Sequence, residues 1–114
     1  MKYMLLIYTN PETKLSQEEL QAEMNGYWAY EEAIRKAGVH LAGEALNSAT
    51  ETHAVRVRDG KTIKTDGPFV ETHEQLGGFY LLDCKDLAEA EEWAAKIPSS
   101  THGVIEVRPV MVFS

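Results

Sequence analysis

Asp66-Gly67-Pro68-Phe69-Val70-Glu71-Thr72-His73-Glu74-Gln75-Leu76-Gly77-Gly78-Phe79 is the stretch on which the fold turns. A strand-like run, Thr62 to Thr65, enters a Gly-Pro turn, and a double glycine then opens the most apolar strand of the chain, Gly78 to Cys84. Proline presets φ and glycine permits positive φ, which accounts for Gly67-Pro68. Turn chemistry alone does not ask for Asp66, Glu71, His73 and Glu74 in one short segment, since any polar residue would solvate it.

Outward from this segment, the elements fall into two similar halves. Upstream, His53 to Arg58 and Lys61 to Thr65 alternate around Asp59-Gly60, the signature of a β-hairpin. Val39 to Leu46 reads as a strand, and Tyr3 to Tyr8 as a strand buried on both faces. Between these two, Ser16 with Glu19 three residues on forms a capping box, and a helix runs to about Ala37, ended by Gly38. Downstream, Asp86 caps a second helix from Leu87 to about Lys96, stopped before Pro98. Gly103 to Phe113 closes the chain as a strand, with Pro109 marking an edge or a bulge.

The order β-α-β, hairpin, β-α-β predicts an α+β, ferredoxin-like domain with an antiparallel sheet and both helices on one face. Val55, Val57, Phe79, Leu81 and Val107 are assigned to the other face, which no further helix can cover. A homodimer packed sheet against sheet is therefore expected.

Composition sets further bounds. The 114 residues form one domain, residues 1–114, with no linker or low-complexity segment. Eighteen acids against 11 bases, and no basic cluster, argue against nucleic acid as a partner. Cys84 is the one cysteine, which excludes a disulfide framework or thiolate metal site. The apolar opening run is too short for a membrane span, so a soluble, cytoplasmic protein is expected.

On the first helix, Leu20, Met24, Tyr27 and Ile34 fall on one apolar stripe, with Glu31 inside it. Glu31 either pairs with Arg35 one turn on or enters a polar cavity between helix and sheet. Tyr27, Trp28 and Tyr30 read as core or dimer packing, and Trp93 as core.

Several ordered motifs resemble those of the YCII-related family, in its DGPF branch. They are Ala37-Gly38, Gly43-Glu44-Ala45-Leu46, Asp66 to Phe69, Glu71 to Glu74, Gly77 to Phe79, then Ala90, Trp93, Ala94 and Pro98, and finally Glu106 to Val110. The resemblance implies a dimeric α+β barrel with a cleft between sheet and helices in each subunit. The family's usual lysine is His73 here, and Ala45 stands where a second glycine is expected. The histidine–aspartate pair proposed for the better-studied branch has no counterpart, because the first helix lacks histidine.

Candidate catalytic groups are Asp66 as base, His73 as proton shuttle, and Glu71 and Glu74. Candidate substrate contacts are Glu31, Glu44, Gly67, Phe69 and Arg108, with Glu106 beside the last. Paired carboxylates with an imidazole suit proton transfer, so a lyase- or isomerase-like enzyme without an organic cofactor is one expectation. A non-catalytic ligand-binding or regulatory module is the alternative. Asp66 capping its own turn, and Glu106 pairing with Arg108 across a dimer, are the purely structural readings. A metal site from His53, His73, Glu71 and Glu74 has no recognised spacing to support it, so no metal is expected.

Overall fold

A computed structural model describes residues 1–68 and 73–113. Four strands form an antiparallel sheet: β1 (Lys2–Thr9), β2 (His40–Ala45), β5 (Gln75–Asp83) and β6 (Val104–Pro109), in the order β2-β5-β1-β6. That order is the ferredoxin-like one, with the edge strands contributed by the second strand of one half and the last strand of the other. Helices α1 (Gln17–Lys36) and α2 (Leu87–Ala95) cover one face. The inserted hairpin, β3 (His53–Arg58) and β4 (Lys61–Asp66), is a separate two-stranded sheet.

Alternation builds the core. Tyr3, Leu5 and Ile7 of β1 and Tyr80 and Leu82 of β5 point to the helices and are buried with Tyr30, Ile34, Ala90, Ala94 and Ile97. Tyr30 is fixed by a hydrogen bond from its hydroxyl to the Trp93 carbonyl, 2.9 Å, and by tilted contact with the Tyr80 ring at 5.1 Å. The capping box is formed: the Glu19 amide donates to Ser16 Oγ at 3.1 Å and the Ser16 amide to Glu19 Oε1 at 3.0 Å. Gly38 takes a φ of +75° just past the α1 terminus, as expected of a helix stop.

The sequence reading needs four corrections. Val55 and Val57 are not on the main sheet but on the hairpin arm, where they are 63% and 60% exposed. Val107 lies opposite Leu5 and packs against the helix-side core rather than on the open face. Trp28 is 71% exposed, so the core side of its reading fails and only the dimer-packing side is left. The last strand ends at Pro109 and not Phe113; beyond it, Val110 donates to the Lys2 carbonyl, and Met111, Val112 and Phe113 are exposed.

The arm projects from the body. Its strands pack chiefly on each other, and the Cα radius of gyration, 16.2 Å, exceeds the roughly 13 Å of a compact domain this long. Asp59 and Gly60, at φ +52° and +74°, form the turn read from the sequence. At the arm's base the Gly67 amide donates to the Thr52 carbonyl at 2.6 Å, with Gly67 at φ +88°.

Candidate functional site

A cleft of about 380 Å³ opens between α1 and the sheet. Glu23, Tyr27 and Glu31, spaced four residues apart, project from one helix face. Ile7 and Thr9 of β1, Gly43 and Ala45 of β2, and Gly77, Gly78 and Tyr80 of β5 form the floor, with Ser99 at one side. Glycine is required at two of these positions by close approach. A Cβ on Gly43 would lie 2.6 Å from Tyr80 Cδ1, and one on Gly78 would lie 2.9 Å from the Glu44 carbonyl oxygen.

The polar lining includes the Glu23 and Glu31 carboxylates, the Tyr27 and Tyr80 phenols, and the Thr9 and Ser99 hydroxyls. Glu31 Oε2 is buried and takes no hydrogen bond; its nearest countercharge is Arg35 Nε at 3.4 Å, outside good hydrogen-bond geometry. Burial, then the Glu31 carboxylate, then Tyr27, push the Tyr80 phenol up to about 12. Burial also raises Tyr27, whose hydroxyl hydrogen-bonds with Ser99 Oγ; the Ser99 bond acts downward, and Glu23 upward again. Both phenols are therefore protonated at neutral pH and present O–H groups, not phenolates. Glu23 is held in turn: His102 Nε2 lies 2.9 Å from its Oε2, with both side chains about four-fifths buried, 21% and 23% exposed.

Of the residues singled out in the sequence, Glu31 lines this cleft. Glu44 borders it, but the register seats Glu44 across from Phe79, and Phe79 across from Leu6, on the face away from the helices. Arg108 and Glu106 lie opposite Met4 and Leu6 on that same open face. Asp66, 94% exposed, sits across the arm from His53, whose Nδ1 is 3.1 Å from Asp66 Oδ1. His73 is exposed, and Glu74 borders a groove between the arm and the sheet. Phe69 and Glu71 lie outside the described residues. Within one chain, then, the cleft gathers Glu31 but not Asp66 or His73. Among the described residues no three His, Cys, Asp or Glu side chains cluster as metal ligands would. Cys84 is buried, and burial followed by Glu89 pushes its thiol up to about 11, far from a nucleophilic thiolate.

The sequence reading passed over Glu23, Tyr80, Ser99 and His102. Glu23 was legible in principle, since it stands at i−4 from Tyr27 and i−8 from Glu31 on one helical face. Ser99 and His102 come from the short turn of helix Pro98–Thr101 and its cap, where no periodicity announces which way a side chain points.

Relatives accord with this architecture. A Rhizobium meliloti (strain 1021) protein, described only as uncharacterised, is 35% identical over 117 residues, covering 99% of this chain and 94% of its own. Among solved structures, 5-chloro-2-hydroxyhydroquinone dehydrochlorinase from Burkholderia phenoliruptrix AC1100, in complex with 2,5-dihydroxybenzoquinone, superposes with a TM-score of 0.56. It covers 97% of this chain and 94% of its own at 14% identity, a likeness of fold. The YCII-related domain model matches residues 1–114, and the chain belongs to the YCII-related family.

Proposed function

We propose that the chain is a small-molecule enzyme performing carboxylate-driven proton transfer, lyase- or isomerase-like, in the cleft between α1 and the sheet. The observation that carries this reading is Glu31: a carboxylate in the cleft wall, its buried Oε2 ion-paired with Arg35 at 3.4 Å, beside a phenol that stays protonated. In the reaction, the proton leaves a substrate C–H next to a carbonyl for Glu31, the C–H pair forms the C=C bond, and the carbonyl π pair moves onto its oxygen. The Tyr80 and Tyr27 hydroxyls donate to that oxygen as charge develops. Return of the proton to another carbon gives isomerisation, and departure of a β-leaving group gives elimination.

The reading extends to a homodimer of the DGPF branch, packed through the open sheet faces, in the cytoplasm, where a lone buried thiol such as Cys84 is stable. Asp66, His73, Glu71 and Glu74 are then groups for a second subunit's cleft, since within one chain Asp66 and His73 face solvent.

Deuterium exchange from heavy water into small enolisable ketones, 2-oxo acids and hydroxylated rings, followed by NMR, tests the proposal. Protein-accelerated exchange that drops about 100-fold in a folded Glu31→Gln variant is the expected result. Saturable binding with no exchange would transfer the cleft to the ligand-binding alternative, and no binding at all would remove it as a site.

A further inference from the structure

Strand β3 has a partner on one side only. Among the described residues it pairs with β4 and with no other strand. Along its free side runs a groove of about 980 Å³, closed towards the sheet by Tyr8, Gln75 and Leu76. Every residue of β3 borders this groove and none of β4 does. An isolated two-stranded hairpin is marginal in water and gains from a third strand, and an open strand edge is a template for one. The chain carries a segment that suits the place. Met111, Val112 and Phe113 follow the last strand, are 72%, 88% and 86% exposed, and include β-formers with no glycine or proline to interrupt them.

This segment cannot reach the groove of its own chain. It starts beside Lys2, whose carbonyl accepts from the Val110 amide. The sheet wall of the groove is at Tyr8, at the far end of β1 and about 20 Å away at the rise of a strand. Three extended residues span only about 10 Å. A second copy removes the difficulty. When two sheets pack face to face about a two-fold axis lying across the strands, their strands run in opposite directions. The Lys2 end of one copy then stands over the Tyr8 end of the other. We infer that residues 111–113 of each copy lie in the arm groove of the other and add a third strand to β3, so that two tails and two arms interlock. The inference rests on the homodimer reading and goes beyond it, naming the segment that docks and the strand edge that receives it.

Oxidative cross-linking of the full chain tests the docking. Chains with Phe113→Cys are mixed with differently tagged chains carrying Val55→Cys, which borders the groove, or Ile63→Cys on β4, which does not. Cys84 stays out of the reaction, because it is buried and its thiol is pushed up to about 11 by burial and then Glu89. The disulfide between the two tags is expected to form about tenfold faster or more with Val55→Cys than with Ile63→Cys, as effective concentration dictates. Alternate amides of a strand face its neighbour, so either Val112→Pro or Phe113→Pro should raise the dimer dissociation constant about tenfold in sedimentation equilibrium. Val112→Ile, which keeps the amide, should leave it within about twofold. Equal or absent cross-linking at the two arm positions, or a dimer that neither proline weakens, overturns the inference and leaves the face-to-face dimer standing. A wild-type chain that sediments as a monomer removes dimer and docking together, while the cleft reading is judged separately by its exchange assay.

Discussion

Gly77 and Gly78 stand side by side in the sequence but do different work. A Cβ on Gly78 would meet the Glu44 carbonyl oxygen at 2.9 Å, in the backbone of β2, whereas one on Gly77 meets nothing closer than Thr9 Oγ1 at 3.8 Å. Gly78→Ala is therefore expected to cost about 1–3 kcal/mol in chemical denaturation, with Gly77→Ala within about 0.5 kcal/mol of wild type. The double glycine was legible as a motif, but its cause was not, because the clash involves a strand more than thirty residues away. The two cleft phenols carry a second residue-scale expectation. Tyr80 holds its proton to about 12 in the fold, above the ordinary value of 10.0. A raised acid stabilises the fold fully below the unfolded value, and that contribution is lost as pH climbs from 10 toward 12. Alkaline unfolding should accordingly begin above pH 10, and Tyr80→Phe should flatten the loss across that window; phenolate absorbance and circular dichroism recorded together would show it.

Helix α1 shows how far periodicity carries an element. Its start, its end and its cap were all readable, because Ser16, Glu19 and Gly38 act on backbone groups next to them in sequence. Ser16→Ala removes one bond of the capping box and leaves an N-terminal amide unpaired, so a loss of about 1 kcal/mol is expected by thermal or urea unfolding. Which face the helix buries was read only in part. The stripe of Leu20, Met24, Tyr27 and Ile34 is correct at Ile34, which is fully buried, and at Tyr27, which packs against the core, yet Leu20 and Met24 are 49% and 55% exposed. The buried line runs through Ile34 and Tyr30, about 40° and 80° from Leu20 at 100° per residue, with Glu23 between them and Tyr27 about 20° from Leu20. Hydrophobicity pulled the reading toward Leu20 and Met24, whereas the sheet lies under the polar residues that line the cleft. Single-sequence periodicity cannot separate an apolar face awaiting a partner from one that meets the chain's own core.

At the scale of the whole molecule, the fold was legible from element order alone, because two split βαβ halves close into a sheet in only one common way. The arm's placement was not, since a hairpin has the same local pattern whether it extends a sheet or stands clear. An isolated two-stranded hairpin is marginal in water, and this one exposes Val55, Val57 and Ile63. It also carries four bases, Arg56, Arg58, Lys61 and Lys64, against Asp59 and Asp66, on a chain whose net charge is −7. The open sheet face is apolar at Met4, Leu6, Phe79 and Leu81, with Glu44 and Glu106 set beside Arg108. A second copy would cover the apolar sheet face with its own and give the exposed valines of the arm an apolar neighbour. A dimer is therefore expected in sedimentation equilibrium, held by burial of the apolar sheet faces. Val55→Glu with Val57→Glu on the arm should give a folded monomer, as should Leu81→Glu on the sheet. A wild-type chain that sediments as a monomer at micromolar concentration would sink the pairing, and with it any role for Asp66 or His73 in a neighbouring cleft. A dimer that persists in the arm variant but dissociates in the sheet variant would keep the face-to-face packing and leave the arm to another purpose.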